Sequence, residues 1–368
     1  MIIGIEATHA NKKYRTGVEE YCFQIIQNLK KIIPHNYKVV LYSNSILIDE
    51  LSVLPENWEC KILPWPFRKG WSQFRLSFEF LKFKPDVFFA PGQLVPIITP
   101  PNTITMIHDS AFKAYPQVYN FWGRQYLKLM NLLIIKKSKL ILTSTEFNRQ
   151  ELIKFYGKNI SKKIIVIPLA FNNEKFTTSN LPSAEILEKY KISKPYIISI
   201  GRLETKKNAK RIIESFNILK KEYPDLSLVL IGKPGVGYAE ILEAWRNSLY
   251  QKDIILSGWV KEPDIVVLLS GAEVFVFPSL YEGFGIPILE ALAVGVPIVA
   301  SRGTSLEEVG GESGIYADPQ DIADIADKIK SLLKSSSFRE QKINMGWERS
   351  KEFSWEKTVR ETWKALLS

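Results

Sequence analysis

A chain of 368 residues that is 46% hydrophobic and 24% charged is long enough for two domains of ordinary size. It is too apolar for a disordered chain. No apolar run approaches the ~20 residues a membrane helix needs. The two cysteines, Cys22 and Cys60, stand in no metal or redox spacing. Met1 to Glu6 has no basic region and reaches an acid at once, so no signal peptide is expected and a cytoplasmic setting is. The charge is uneven. Residues 1–178 hold 24 Lys and Arg against 13 Asp and Glu, a net of +11, leaving 25 against 26 for the remainder. Such asymmetry directs the first half toward an anionic partner: nucleic acid, an anionic membrane face or a phosphorylated substrate.

In chain order, Ile2–Ala7 reads as a buried strand, followed by a polar loop and a helix from Val18 to Lys31 with Tyr21, Ile25 and Leu29 at helical spacing. Further strands are expected at 38–42, 60–63, 86–89, 103–107, 140–143 and 164–167, with helices at 118–137 and 146–156. Residues 171–195 lose periodicity through Asn172-Asn173, Thr177 to Asn180 and Pro182, and read as a connection with a short helix at 184–190. The alternation then restarts. Strands are expected at 196–200, 227–231, 254–256, 274–277, 297–300 and 315–316, and helices at 208–223, 238–250, 263–270, 286–293, 321–333, 338–353 and 355–367. Alternating short apolar strands and helices predict parallel, doubly wound sheets, and the pattern occurring twice predicts two α/β domains. Asp321, Asp324 and Asp327 recur every third residue on an amphipathic helix and read as its solvated side, not as metal ligands.

Such domains bind ligands in the loops after their strands. The loop Gly201–Asn208 carries Arg202 and Lys207, a guanidinium fork and a point-charge ammonium, the side-chain types that hold phosphates. A second loop, Pro278 to Pro297, sets Glu282 and Glu290 eight residues apart around Gly283-Phe284-Gly285, with Pro287 suited to a first helical turn. The glycines admit close backbone approach, and the helix start adds its dipole. Glu290 lies among Ile288, Leu289, Ala291 and Leu292, so a buried carboxylate in need of a partner is expected there. Carboxylates bind vicinal hydroxyls well and phosphates badly. Phosphate-type cations beside diol-type acids describe a nucleotide sugar. No G-x-G-x-x-G follows Ile2–Ala7, and no P-loop is present. In the first half, Thr16-Gly17 precedes a helix, and His108-Asp109 ends the strand at 103–107. His108 is open to a structural or a functional reading.

Tyr281-Glu282-Gly283-Phe284-Gly285 with Glu290 resembles the E-x7-E signature of glycosyltransferase family 4, the retaining "group 1" enzymes of GT-B fold. Gly201-Arg202-Leu203 with Lys207-Asn208, Ser257-Gly258-Trp259-Val260, Phe277-Pro278-Ser279, Gly295 to Ser301, Arg15-Thr16-Gly17-Val18 and His108-Asp109 extend the likeness. The family's interdomain Asn-Gly-Val-Asp stands here as Leu169-Ala170-Phe171-Asn172. The resemblance implies two Rossmann-like doubly wound domains facing across a cleft. These are an acceptor domain at 1–172, onto which a last helix at 354–368 crosses back, and a nucleotide-sugar domain at 173–353. It implies catalytic roles for Arg202 and Lys207 at the diphosphate, Glu282 at the donor sugar's hydroxyls and His108 against that sugar. Gly17, Gly283, Phe284, Gly285 and Ile286 would approach the donor's oxygens, Glu290 would hold the ribose, and Trp259 and Val260 would flank the base. No cofactor and no metal are expected, since fixed cations stabilise the leaving group.

The expected activity is transfer of a sugar, with retention, from a nucleotide sugar to a glycan or lipid-linked acceptor of cell-surface polysaccharide assembly. The Arg-Thr-Gly-Val and Lys-Asn sequences resemble those of mannosyl- and rhamnosyltransferase relatives, and that resemblance favours GDP-mannose over a UDP-sugar. The basic first half favours peripheral contact with an anionic membrane. A GT-B-shaped sugar-nucleotide epimerase or a phosphorylase is the alternative enzyme. The alternative without catalysis is a nucleic-acid-binding or scaffold protein, in which Trp65, Phe67, Trp71 and Phe74 alternate with Arg68, Lys69 and Arg75. No nucleic-acid module matches, and that reading is set aside.

Overall fold

A computed structural model describes residues 1–15, 17–67, 70–177 and 183–368. Thr16 of the first loop, Arg68 and Lys69 of the aromatic-basic stretch, and residues 178–182 of the connection lie outside them. The chain divides into two compact units, Met1–Leu169 with Ser354–Ser368, and Ala170–Phe353.

The first unit opens with β1 (Ile2–Glu6), α1 (Gly17–Ile32), β2 (Lys38–Ser43), β3 (Trp58–Ile62), α2 (Leu76–Lys82), β4 (Val87–Ala90) and β5 (Thr103–Met106). It continues through α3 (Ala111–Ala114), α4 (Phe121–Lys137), β6 (Leu140–Thr143), α5 (Glu146–Tyr156) and β7 (Ile164–Val166). Among the described residues these strands form one sheet in the order β3-β2-β1-β4-β5-β6-β7, every pair parallel. Helices on both faces bury whole strands, which is why β4 is an unbroken Val-Phe-Phe-Ala. Helix α1 turns Tyr21, Ile25 and Leu29 inward, with Glu19 and Glu20 in its first turn and Lys30 and Lys31 in its last, matching its dipole.

The aromatic stretch becomes a π-helical turn at Trp71–Arg75 leading into α2, which the sequence pattern did not announce. A π-turn's wider period leaves no helical spacing to read. Trp71 is buried and donates from Nε1 to the Leu63 carbonyl at 2.7 Å, while Phe67 and Phe74 remain exposed around Trp65. Glu79 is the buried acid of α2, and Lys61 and Arg75 both pair with it.

The second unit contains α6 (Ala184–Lys189), β8 (Tyr196–Ile200), α7 (Ala209–Leu219), β9 (Ser227–Ile231), α8 (Tyr238–Arg246) and β10 (Ile254–Gly258). It goes on with α9 (Glu262–Ser270), β11 (Val274–Phe277), α10 (Ile286–Ala293), β12 (Ile298–Ser301), α11 (Ser305–Gly310), β13 (Ile315–Ala317), α12 (Ile322–Lys334) and α13 (Ser336–Lys351). Its described strands run β10-β9-β8-β11-β12-β13, again parallel throughout. The core gathers Ile197, Leu228, Leu230, Val274 and Val276 from the strands with Ile212, Phe216, Ile325 and Ile329 from α7 and α12. Asp321 caps α12, accepting from the Ala323 and Asp324 amides. Among the described residues no group of three or more His, Cys, Asp or Glu is arranged to hold a metal ion.

The last helix, α14 (Trp355–Leu367), belongs to the first unit and packs on α1. Trp355 lies 6.2 Å from the Tyr21 ring, Trp363 meets Tyr37 edge-on at 5.2 Å, and Thr358 Oγ1 donates to the Pro168 carbonyl at 2.8 Å. No helix among the described residues is long and apolar enough to cross a membrane.

Candidate active site

In each sheet the strand order reverses once, and the loops flanking that reversal are where an open α/β sheet receives its ligand. In the second unit the reversal lies between β8 and β11. The loops concerned are 201–208 and 278–285, the two that the sequence singled out.

The first of these loops is tied to its neighbour. Leu203 N donates to Lys233 O, Gly235 N to Leu203 O and Thr205 N to Val236 O, each at 2.9 Å, so the loops after β8 and β9 remain zipped beyond the sheet. Glycine is required at 232, where a Cβ would lie 1.9 Å from the Gly201 carbonyl oxygen. Asn208 ends the loop in the left-handed region, φ 64°, where asparagine is the best tolerated residue with a side chain. Buried there, it donates from Nδ2 to the carbonyls of Pro278 at 2.9 Å and Pro319 at 2.6 Å, and accepts from Arg211. Leu280 N adds a bond to Lys206 O at 2.9 Å. The two switch-point loops are thus one hydrogen-bonded body.

That body holds Lys207 against Glu282: Nζ to Oε1 is 2.5 Å, and the ammonium stands 4.9 Å from the centre of the Phe277 ring. Glu282 is buried. Burial alone raises a carboxyl's pKa, but the Lys207 and Lys206 ammonium groups outweigh it and keep this one below the usual carboxylate range. Ser305, buried at the start of α11, donates to the carbonyls of Glu282 at 2.8 Å and Phe284 at 3.3 Å, and so fixes the loop from below. Gly285 caps α10 at φ 107°, and a Cβ there would come within 2.4 Å of Leu306 Cδ2. Pro287 stands in the first turn of α10 as its missing N–H allows.

One sequence expectation changes here. Glu290 is not the buried carboxylate: it is partly exposed, while Ile288, Leu289, Ala291 and Leu292 turn inward. Four inward residues use up the apolar face of so short a helix, leaving position 290 on its rim. Glu282 is the buried acid, and its partner is a lysine of its own unit. Arg202, paired with Lys207 in the sequence reading, is exposed, its methylenes over Gly235. Phe284 is buried, and Gly283 and Ile286 are partly exposed. In the loop after β10, Val260 is buried and Trp259 is 55% exposed, with Lys233 Nζ 5.5 Å from the centre of its ring.

In the first unit the reversal lies between β1 and β4. Gly17 opens α1 at φ 23°, with open space where a Cβ would stand. His108 is buried, edge-on to Tyr21 at 4.9 Å. Its Nε2 lies 2.8 Å from the Pro91 carbonyl, which can only accept, so Nε2 carries the proton. Burial pushes its pKa down to about 4, leaving the ring neutral near pH 7. Sequence reasoning passed over a second pair at this reversal. Glu6 ends β1 fully buried, accepts from Thr8 N at 2.7 Å and meets His9 Nδ1 at 3.0 Å. Burial opposes both charges, but each offsets the other, so Glu6 titrates low and His9 high. The only advance signal was an acid closing an apolar strand.

The family model described as "Glycosyl transferases group 1" matches residues 183–349. "O-antigen chain mannosyltransferase B" of Escherichia coli is 27% identical over 97% of this chain and 97% of its own. Among solved structures, sucrose-phosphate synthase from Thermosynechococcus elongatus superposes with TM-score 0.76 at 17% identity, over 99% of this chain and 97% of that one. Anabaena HepE, in complex with UDP and glucose, also reaches 0.76, at 16% identity over 100% and 99%. The two-unit, parallel-sheet architecture is that of the GT-B fold.

Proposed function

We propose that this chain, whose residues 183–349 match glycosyl transferases group 1, moves mannose from GDP-mannose to a hydroxyl of a glycan or lipid-linked acceptor in cell-surface polysaccharide assembly, with retention and without a metal ion. The observation that carries the reading is the Lys207–Glu282 pair at the switch point of the second unit. A bound diphosphate competes for the Lys207 ammonium, and Arg202 stands exposed on the same loop to join it. Glu282, relieved of part of its partner, accepts from sugar hydroxyls, and Glu290 on the rim of α10 accepts from the ribose. Departure of the nucleoside diphosphate builds negative charge beside cations that are already in place, which lowers the barrier without reorganisation. The relative from Escherichia coli supports mannose as the sugar. A UDP-sugar is the competing donor, and HepE was solved with UDP. The enzyme works in the cytoplasm, and its basic first unit contacts the anionic inner face of the membrane.

Thermal-shift titration with GDP, UDP, dTDP and their sugar conjugates tests the donor. At a hundredfold excess over Kd the cognate nucleotide adds about 2.7 kcal/mol of stability. A response to GDP and GDP-mannose alone is expected, and a response to UDP alone would move the assignment to a UDP-sugar. Lys207→Met protein that still answers to GDP would remove the site from these loops.

A further inference from the structure

Helix α4 carries two apolar stripes. One is buried through Met130 and Ile134, as in any helix laid on a sheet. The other faces outward: Trp122 is 80% exposed, Leu129 54% and Leu132 45%, with Tyr126 between them, at spacings of four, three and three residues. Phe121 adds a neighbouring exposed ring, and Lys136 and Lys137 end the helix. A helix that shows solvent this much apolar surface in one stripe is covered by something else in use.

Beside the stripe lies a cavity of about 550 Å³ lined by Lys113, Arg124, Lys128, Leu132, Phe155 and Tyr156 among others, with no carboxylate in its wall. Lys113 Nζ sits 3.7 Å from the centre of the Tyr156 ring and gives one bond, at 3.2 Å, to the Phe155 carbonyl. Burial and the nearby Lys128 both hold its pKa low. The Arg124 Nε is buried and makes no hydrogen bond among the described residues. Three cations around one concavity repel one another, and an anion with several acceptor oxygens relieves all three.

We propose that this face of α4 docks on an anionic bilayer, the stripe from Trp122 to Leu132 entering the interface and a lipid phosphate seating among Lys113, Arg124 and Lys128. Tryptophan and tyrosine at the water–hydrocarbon boundary, flanked by basic side chains, are the composition of a helix lying in that plane. A second copy of the chain is a poor occupant, since it would bring the same cations face to face. The inference rests on the membrane contact proposed above and gives it a place; it does not depend on the identity of the donor.

Co-sedimentation of the full chain with vesicles decides it. Binding is expected to phosphatidylcholine vesicles containing phosphatidylglycerol and not to phosphatidylcholine alone. Lys128→Glu and Arg124→Gln should each weaken it at least about fivefold, and Trp122→Ser with Leu129→Ser should abolish it. Equal binding to neutral vesicles, or variants that bind like the parent chain, would overturn the proposal. So would protection of the pocket by inorganic phosphate with no vesicle binding, which would assign it to a free anion. Self-association of the parent chain that is lost in Trp122→Ser would overturn it in favour of a protein interface. The same variants should keep the nucleotide thermal shift of the parent chain, which separates failure of the docking surface from failure of the donor site.

Discussion

Lys207 and Glu282 stand 75 residues apart in the chain and 2.5 Å apart in the fold, at the point where the sheet of the second unit reverses its strand order. The pair is mostly shielded from water, so each charge depends on the other. A phosphate arriving at Lys207 would therefore alter Glu282 as well, and under the proposed function this links a cation for the leaving group to an acceptor for sugar hydroxyls.

Removing one member should cost both stability and activity. Lys207→Ala leaves a buried carboxylate unpaired and is expected to lose about 3 kcal/mol in urea unfolding, with turnover down by about 100-fold or more. The double variant Lys207→Met/Glu282→Gln should regain most of the stability and none of the turnover. Recovery of both would make the pair structural only.

Glu290 should behave differently because it is partly exposed. Glu290→Ala is expected to change stability by less than about 1 kcal/mol. Its kcat/KM should fall by about 100-fold, through loss of charged hydrogen bonds to the ribose at ~1.5–3 kcal/mol each. Unchanged kcat/KM would remove Glu290 from the site.

Asn208 serves through its backbone and its amide together. Asn208→Gly keeps the left-handed conformation and loses the bonds to Pro278 and Pro319, while Asn208→Ala loses both. The expected order of stability is parent, glycine, alanine, the first step costing about 2 kcal/mol and the second about 1 kcal/mol more. An alanine variant at least as stable as the glycine one would contradict this.

His108 makes the first unit sensitive to acid. Its folded pKa is about 4 against an ordinary 6.5, so between those values the unfolded chain holds a proton that the folded one does not. Stability contributed at neutral pH is then lost as pH falls through that window, by roughly 3 kcal/mol in all. His108→Gln should flatten the pH dependence of unfolding from pH 4 to 6.5 relative to the parent chain. Parallel profiles would show that the ring is not held neutral.

Much of the architecture was legible beforehand because its causes are local. Leu140–Thr143, Tyr196–Ile200 and Val274–Phe277 form at the expected residues, since short apolar runs between polar loops have few other places to go in a doubly wound sheet. The π-turn at Trp71–Arg75 and the short α11 were missed because neither has room to display a period.

By itself the sequence determined the two parallel-sheet units and the residue types at the strand ends, cations after β8 and acids and glycines after β11, and these carry its resemblance to glycosyl transferases group 1. These follow from hydrophobic spacing and from the backbone freedom that glycine, asparagine and proline permit or deny. Only the tertiary structure decided which groups meet. It placed Lys207 on Glu282, turned Glu290 to the rim, buried His108 against Pro91, paired Glu6 with His9 and left the stripe of α4 facing water. Burial and partnership are properties of packing between distant segments, and no local pattern encodes how far a strand end stands from its neighbour.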